Sequence, residues 1–190
     1  TCALPIFEYI PYRKRDSTRE RDEEMYPWFA GQGYACLRID MRGSGDSEGL
    51  LYDEYTVQEQ EDCVEAIAWI AGQSWCTGRV GMMGKSWSGF NSLQVAARRP
   101  PALAAVIAIH ASDDRYGDDV HFRGGCMLSD NGEWAAMMQA SLVLPPDPEI
   151  VGDRWRDMWS ERLASLPFLA EPWVAHQTHD DYWKQGSVDE

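Results

Sequence analysis

Four short apolar runs mark the first 110 residues: Ile6–Ile10 (IFEYI), Tyr34–Ile39 (YACLRI), Val80–Met83 (VGMM) and Ala104–Ile109 (AAVIAI). The last three are nearly continuous, interrupted only by Arg38. Such runs predict strands buried on both faces of a parallel sheet. Patterns of helical period lie between them. Glu20–Ala30 predicts a helix closed by Gly31. Thr56–Gly72 predicts a second, with Thr56 as N-cap and Glu59 completing a capping box. Its acids Glu59, Glu61, Asp62 and Glu65 sit early, where the helix dipole favours them. Its second half, AIAWIA, is apolar nearly all round and is expected to be buried. Ser86–Arg99 predicts a third helix, stopped by Pro100-Pro101. This alternation implies right-handed crossovers and an α/β sheet with helices on both faces.

Beyond His110 the pattern changes. Residues 111–190 hold Trp134, Trp155, Trp159, Trp173 and Trp183 and no strand-like run. Asp147-Pro148-Glu149 starts a helix, and Ile150, Val151, Trp155, Met158, Trp159, Arg162, Leu163 and Leu166 follow at helical spacing. The expected organisation is a sheet domain over residues 1–111, then a helical cap or lid over 112–190.

Charge narrows the partners. Lys and Arg total 17 against 31 Asp and Glu, a net charge of −14. Such a surface repels phosphate backbones and anionic membrane faces. No apolar run reaches the ~20 residues of a membrane span, and TCALPIFEYIPYRKRD lacks a signal-peptide pattern. Cys2, Cys36, Cys63, Cys76 and Cys126 are scattered, with no CxxC pair. They read as reduced, mostly buried thiols of a cytoplasmic protein. His176 and His179 stand three apart without a Cys or acid pattern around them. No metal site and no cofactor is expected.

The stretch VGMMGKSWSGF (Val80–Phe90) carries the chemistry and has two readings. Gly84-Lys85-Ser86 has the letters of a phosphate-binding P-loop. That loop needs a first glycine five residues before Gly84, and the position holds Arg79. The other reading is a strand–turn–helix elbow presenting Ser86 as a nucleophile. The tight turn demands small neighbours, and Gly84, Ser88 and Gly89 supply them as G-x-S-x-x-G. A plainer alternative is that Ser86 only caps the following helix.

The run Asp40-Met41-Arg42-Gly43-Ser44-Gly45-Asp46-Ser47-Glu48-Gly49 resembles the D-x-R-G-x-G-x-S-x-G loop of one serine hydrolase family. That family includes cocaine-esterase-type enzymes, X-prolyl dipeptidyl peptidases, glutaryl acylases and α-amino acid ester hydrolases. Gln73–Gly81, the G-x-S-x-x-G elbow and Ile10-Pro11-Tyr12 also resemble its motifs, in the same order. The resemblance implies an α/β-hydrolase fold, here an incomplete parallel-sheet portion followed by a helical lid. It implies cleavage of a small-molecule ester or amide through an acyl-enzyme, with X-prolyl peptides among the candidate substrates. Ser86 would attack, while the Trp87 N–H and the Tyr12 phenol would hold the oxyanion. By the residues alone, Tyr12 also fits a solvated loop beside Arg13, Lys14 and Arg15. Tyr116–Phe122 (YGDDVHF) resembles the G-D-D-W-F segment of α-amino acid ester hydrolases, which makes Asp119 a candidate for binding a substrate ammonium. The plainer reading of Asp119 is a helix-start acid in the lid.

A serine nucleophile needs a histidine base and an orienting acid. Asp113, Asp114, His176 and His179 read better as lid-surface residues, and in the resembling family both partners follow the lid. The 190-residue polypeptide alone is therefore expected to show no turnover; Ser86-dependent hydrolysis of a p-nitrophenyl ester by it would overturn this. A nucleotide-binding protein, an inactive binding domain of the same fold and homo-oligomerisation stay open at this level.

Overall fold

The structure, a computed structural model, describes residues 2–189. The chain divides into two compact units. One holds residues up to Asp40 with Val57–Ala111; the other holds Met41–Thr56 with residues from Ser112 onward.

The first unit is an α/β layer. Its elements are β1 (Leu4–Ile10), α1 (Arg19–Gly31), β2 (Tyr34–Asp40), α2 (Val57–Ala71), β3 (Val80–Lys85), α3 (Trp87–Ala97) and β4 (Leu103–Ile109). The strands form a four-stranded sheet in the order β2-β1-β3-β4, all parallel. The expected alternation is therefore present. Phe7, Tyr9, Ile10, Val80, Met82, Ile67, Ile70 and Val95 form the apolar core. β1 also buries Glu8, which accepts from Arg21 at 2.7 Å and from the Tyr26 hydroxyl. A buried carboxylate needs such partners, since desolvation otherwise favours its neutral form. Asp22 of α1 is likewise buried and pairs with Arg38 and Arg21.

Several sequence expectations change here. β2 is half-buried along most of its length and β4 is largely exposed, with Ile107 58% and Ile109 41% accessible. Both were expected to be covered on each face. They are the outer strands of this sheet, and the burial of their side chains depends on what packs against each face rather than on their apolar content. Ala68 and Trp69 of α2 are exposed, because the buried side of this helix is made by Glu59, Gln60, Cys63, Ile67 and Ile70. Gly31 lies inside α1, and it is Gly33 that adopts positive φ (90°). Of the five cysteines only Cys63 and Cys76 are buried; all are free.

The second unit contains β5 (Phe122–Arg123), β6 (Cys126–Met127), α4 (Asp130–Leu142), α5 (Pro148–Val151), a 3-10 turn (Gly152–Arg154), α6 (Trp155–Ser165), α7 (Ala170–Ala175) and α8 (Asp181–Lys184). The β5–β6 hairpin was not expected: two residues per strand give no periodic signal. Asp147 caps α5 by accepting from the Glu149 N–H at 2.8 Å. The helix expected to run on to Leu166 breaks at Gly152 (φ 63°) and resumes at Trp155. Arg162, expected on its apolar stripe, is buried as a tether. Its guanidinium donates to the carbonyls of Gly45, Leu144 and Ser47 at 2.8–3.0 Å. It thereby fixes the glycine-rich loop after β2. Gly43 in that loop has φ 80°, and a Cβ there would stand 2.2 Å from the Leu51 nitrogen. No helix among the described residues is long and apolar enough to cross a membrane.

Candidate active site

β3 delivers Ser86 at its C-terminal end, and α3 starts at the next residue. Ser86 has φ 60° and ψ −125°. A non-glycine residue held there costs about 1–3 kcal/mol, and such strain clusters at functional sites. Neighbouring contacts over-determine it. Its N–H donates to the Ile109 carbonyl at 2.8 Å, and its carbonyl accepts from Gly89 and Phe90 at 2.7 and 2.9 Å. Its side chain makes no capping bond to α3, so the helix-cap alternative is not what the structure contains.

The glycine spacing has a geometric cause. A Cβ on Gly84 would lie 2.4 Å from the carbonyl carbon and the Cβ of Ser88. A Cβ on Gly89 would lie 2.9 Å from the Ile109 oxygen and 3.0 Å from the Ala111 Cβ. Position 89, not 88, therefore meets the end of β4, which accounts for G-x-S-x-x-G rather than G-x-S-x-G.

The oxyanion candidates meet. The Trp87 N–H donates to the Tyr12 hydroxyl at 3.1 Å, across 75 residues of sequence. Tyr12 is half-buried just beyond β1, with Arg13 next to it at φ 59°. Asp40, at the end of β2, is buried and accepts from the Lys14 backbone N–H (2.8 Å) and its Nζ (2.7 Å). The chain after Tyr12 is thus anchored to the sheet. The Trp87 side chain is fully buried, and its indole N–H donates to Glu59 of α2 at 2.8 Å. Sequence reasoning treated Glu59 as a capping residue and gave Trp87 a backbone role only. A carboxylate in the first turn of an otherwise buried helix face was the available signal.

Asp119 belongs to the other unit. It precedes the β5–β6 hairpin rather than a helix, so its helix-start reading does not hold. Its Oδ1 accepts from the Val120 N–H at 2.6 Å. Its Oδ2 is sealed from solvent without a hydrogen-bond partner. Burial, reinforced by the nearby Glu54 charge, pushes its pKa up to about 6.

Beside it is an ionic network that sequence reasoning missed. Glu54 accepts from His121 Nε2 (2.6 Å), Arg115 (3.4 Å) and the Trp134 indole (2.6 Å), and all but Trp134 are fully buried. The Asn131 amide nitrogen donates to the carbonyls of His121 and Leu128, so its oxygen faces His121 Nδ1 at 2.7 Å. Both ring nitrogens thus face acceptors, which requires the imidazolium. Burial opposes that charge, but Glu54 outweighs it and raises the His121 pKa. Burial likewise opposes the Glu54 carboxylate, and His121 with Arg115 outweighs it and lowers its pKa. Glu54, Asp119 and His121 bring donor atoms within 4.8 Å of one another, a spacing that could suit a metal. Here the imidazolium and guanidinium already supply the positive charge.

Glu54→Ala would leave two buried cations without their carboxylate. The expected loss is about 3–5 kcal/mol, read as a lowered urea midpoint. The signs of the pH dependence differ. Asp119 binds a proton more tightly folded than unfolded (about 6 against 3.8), and so does His121 relative to 6.5. Both contributions fall as pH rises through those windows. The Glu54 contribution is lost instead as pH falls through its depressed value, below 4.5. Asp119→Asn should flatten the stability profile between about pH 4 and 6; an unchanged slope would refute the assignment.

The remaining histidine candidates have other partners. His176 pairs with Asp180 at 2.8 Å, and His179 stacks on Tyr116. Asp113 is exposed, and Asp114 caps a turn by accepting from the Tyr116 N–H.

A parallel sheet whose third strand runs into a strained serine, followed directly by a helix, defines an α/β-hydrolase-like domain. Residues 4–190 match the model of the X-Pro dipeptidyl-peptidase family S15, and the chain belongs to that family. It is 29% identical to the cocaine esterase of Rhodococcus sp. over 181 residues, covering 84% of this chain and 31% of that protein. It is 34% identical over 97 residues to a provisionally named serine esterase of Mycobacterium tuberculosis, covering 51% of this chain and 15% of that one. The solved structure of a CocE/NonD family hydrolase from Staphylococcus aureus shares the fold, with a TM-score of 0.74 and 24% identity over 99% of this chain and 34% of its own. The chain thus spans less than a third of the length of these two curated relatives.

Proposed function

We propose that this chain carries the nucleophile and oxyanion site of a serine hydrolase acting on ester or amide bonds. The observation that carries the reading is the meeting of the Trp87 N–H and the Tyr12 hydroxyl beside the strained Ser86. The Ser86 oxygen attacks the substrate carbonyl carbon and loses its proton to a base. The carbonyl π pair moves onto oxygen, and that oxyanion accepts from the Trp87 N–H, which in the free protein donates to the Tyr12 oxygen, and from the Tyr12 O–H. Collapse expels the alcohol or amine and leaves an acyl-Ser86 ester, which water hydrolyses through a second oxyanion. The helical residues 112–190 serve as a lid in this reading. The relatives' names support esters, and the family's name supports X-prolyl peptides, as substrate classes.

Asp119 would bind the free amino group of such a substrate. Its unpartnered, desolvated Oδ2 gains a donor when an ammonium arrives, and the cation draws its pKa back down. The scattered free thiols fit a reducing, cytoplasmic setting. The test uses the protein encoded by the complete reading frame that contains these residues. A fluorophosphonate probe should label Ser86, mapped by peptide mass spectrometry. Labelling elsewhere, or none under conditions where the protein is folded, would sink the proposal.

A further inference from the structure

We infer that Glu59 is a positioning residue for the oxyanion site, acting through the indole of Trp87. The inference rests on the serine hydrolase reading and adds a residue to it. Ser86 and Trp87 share one peptide bond, and that peptide's N–H is the proposed oxyanion donor. Its direction is set by the ψ of Ser86 (−125°) and by where the Trp87 side chain is held. Ser86 is in a sparsely populated conformation, so its peptide turns away unless the surroundings hold it. Backbone bonds fix the Ser86 end: Ser86 N–H to Ile109, and the Ser86 carbonyl to Gly89 and Phe90. The Trp87 end is fixed by its side chain.

That side chain is fully buried, and its one polar atom donates to Glu59 Oε1 at 2.8 Å. Glu59 sits in the first turn of α2, 28 residues away in sequence, and is itself buried. The same oxygen accepts from Asn91 Nδ2 at 3.5 Å, and that amide also donates to the Tyr9 carbonyl on β1 at 3.3 Å. Tyr9 lies three residues before Tyr12. One carboxylate therefore ties the residue carrying the N–H donor to α2, and Asn91 ties both to the strand leading to Tyr12. A carboxylate suits the position. It has no proton to donate, so it cannot compete as a donor, and a charge-assisted bond to an indole N–H is stronger than a neutral one. The α2 N-terminus favours its negative charge.

Steady-state kinetics on the protein from the complete reading frame test this. Trp87→Phe keeps the ring and the backbone N–H but removes the indole donor. Glu59→Leu removes the acceptor. Each is expected to lower kcat about 10- to 100-fold, the range for groups that orient a reacting residue, with KM within about twofold of wild type. The double variant should match the worse single variant, because both break one link. Glu59→Gln, which keeps an acceptor oxygen, should recover part of the Glu59→Leu loss. A packing role alone would lower the thermal midpoint and leave kcat of the folded fraction unchanged. That pattern, or multiplicative loss in the double variant, overturns the inference. If Glu59→Leu does not fold, Trp87→Phe decides alone: kcat within twofold of wild type refutes it. Ser86→Ala separates the two levels. If that variant stays active, the reading of Ser86 as nucleophile has failed; if it is dead while Trp87→Phe is fully active, only the role of Glu59 has failed.

Discussion

Ser86→Ala, made in the protein from the complete reading frame, should lose ester or amide hydrolysis by on the order of 10⁴-fold or more. It should lose fluorophosphonate labelling entirely. The Ser86 hydroxyl has no structural bond to replace, since it does not cap α3. The alanine variant should therefore fold with an unchanged circular dichroism spectrum and a thermal midpoint near wild type. A further substitution separates strain from chemistry. Ser86→Gly is equally inactive but more stable, by about 1 kcal/mol, because glycine tolerates φ 60° without the Cβ clash. Activity is then lost while stability is gained, as expected where strain serves function. Retained hydrolysis by either variant, with the probe attached elsewhere, would remove Ser86 from the mechanism.

Tyr12→Phe should lower kcat by about 10²–10³, the typical cost of one oxyanion donor. KM should move little, because the phenol interacts more strongly with the oxyanion than with the ground-state carbonyl. The ring stays, so the half-buried packing of Tyr12 is kept. The Trp87 N–H loses its acceptor in the free protein but still reaches the oxyanion. The loss therefore reports one donor and not collapse of the site. A kcat within threefold of wild type would show that the phenol is not a donor. A raised KM with unchanged kcat would make Tyr12 a binding residue instead.

The elbow was legible because its constraint is local. Gly84, Ser86 and Gly89 are close in sequence, and the tightness of one turn selects small residues at fixed offsets. The P-loop alternative fell to the same logic, since Arg79 cannot replace a glycine that wraps phosphate, and the family match agrees. Tyr12 was placed only by resemblance. Nothing between residues 12 and 87 states that a phenol and an amide will meet. Glu59, Arg162 and the Glu54–His121 pair gave little signal. A buried charge has the same letter as a solvated one, and only its partners distinguish them. Arg162 even sits at an apolar position of its helix's period. The exposure of Ile107 and Ile109 was missed for a related reason. Apolar content gives a strand's propensity, whereas burial depends on what packs against each face.

The sequence by itself determined the strand–helix alternation, the end of α3 before Pro100, the cap at Asp147 and the turn that carries Ser86, because each is a short-range matter of backbone freedom and hydrophobic period. The tertiary structure alone decided that the Tyr12 hydroxyl meets the Trp87 N–H, that Glu59 holds the Trp87 indole and that His121 is a buried imidazolium. Those are pairings between groups 10 to 75 residues apart, set by how the elements pack and by desolvation, and neither is written in the spacing of letters.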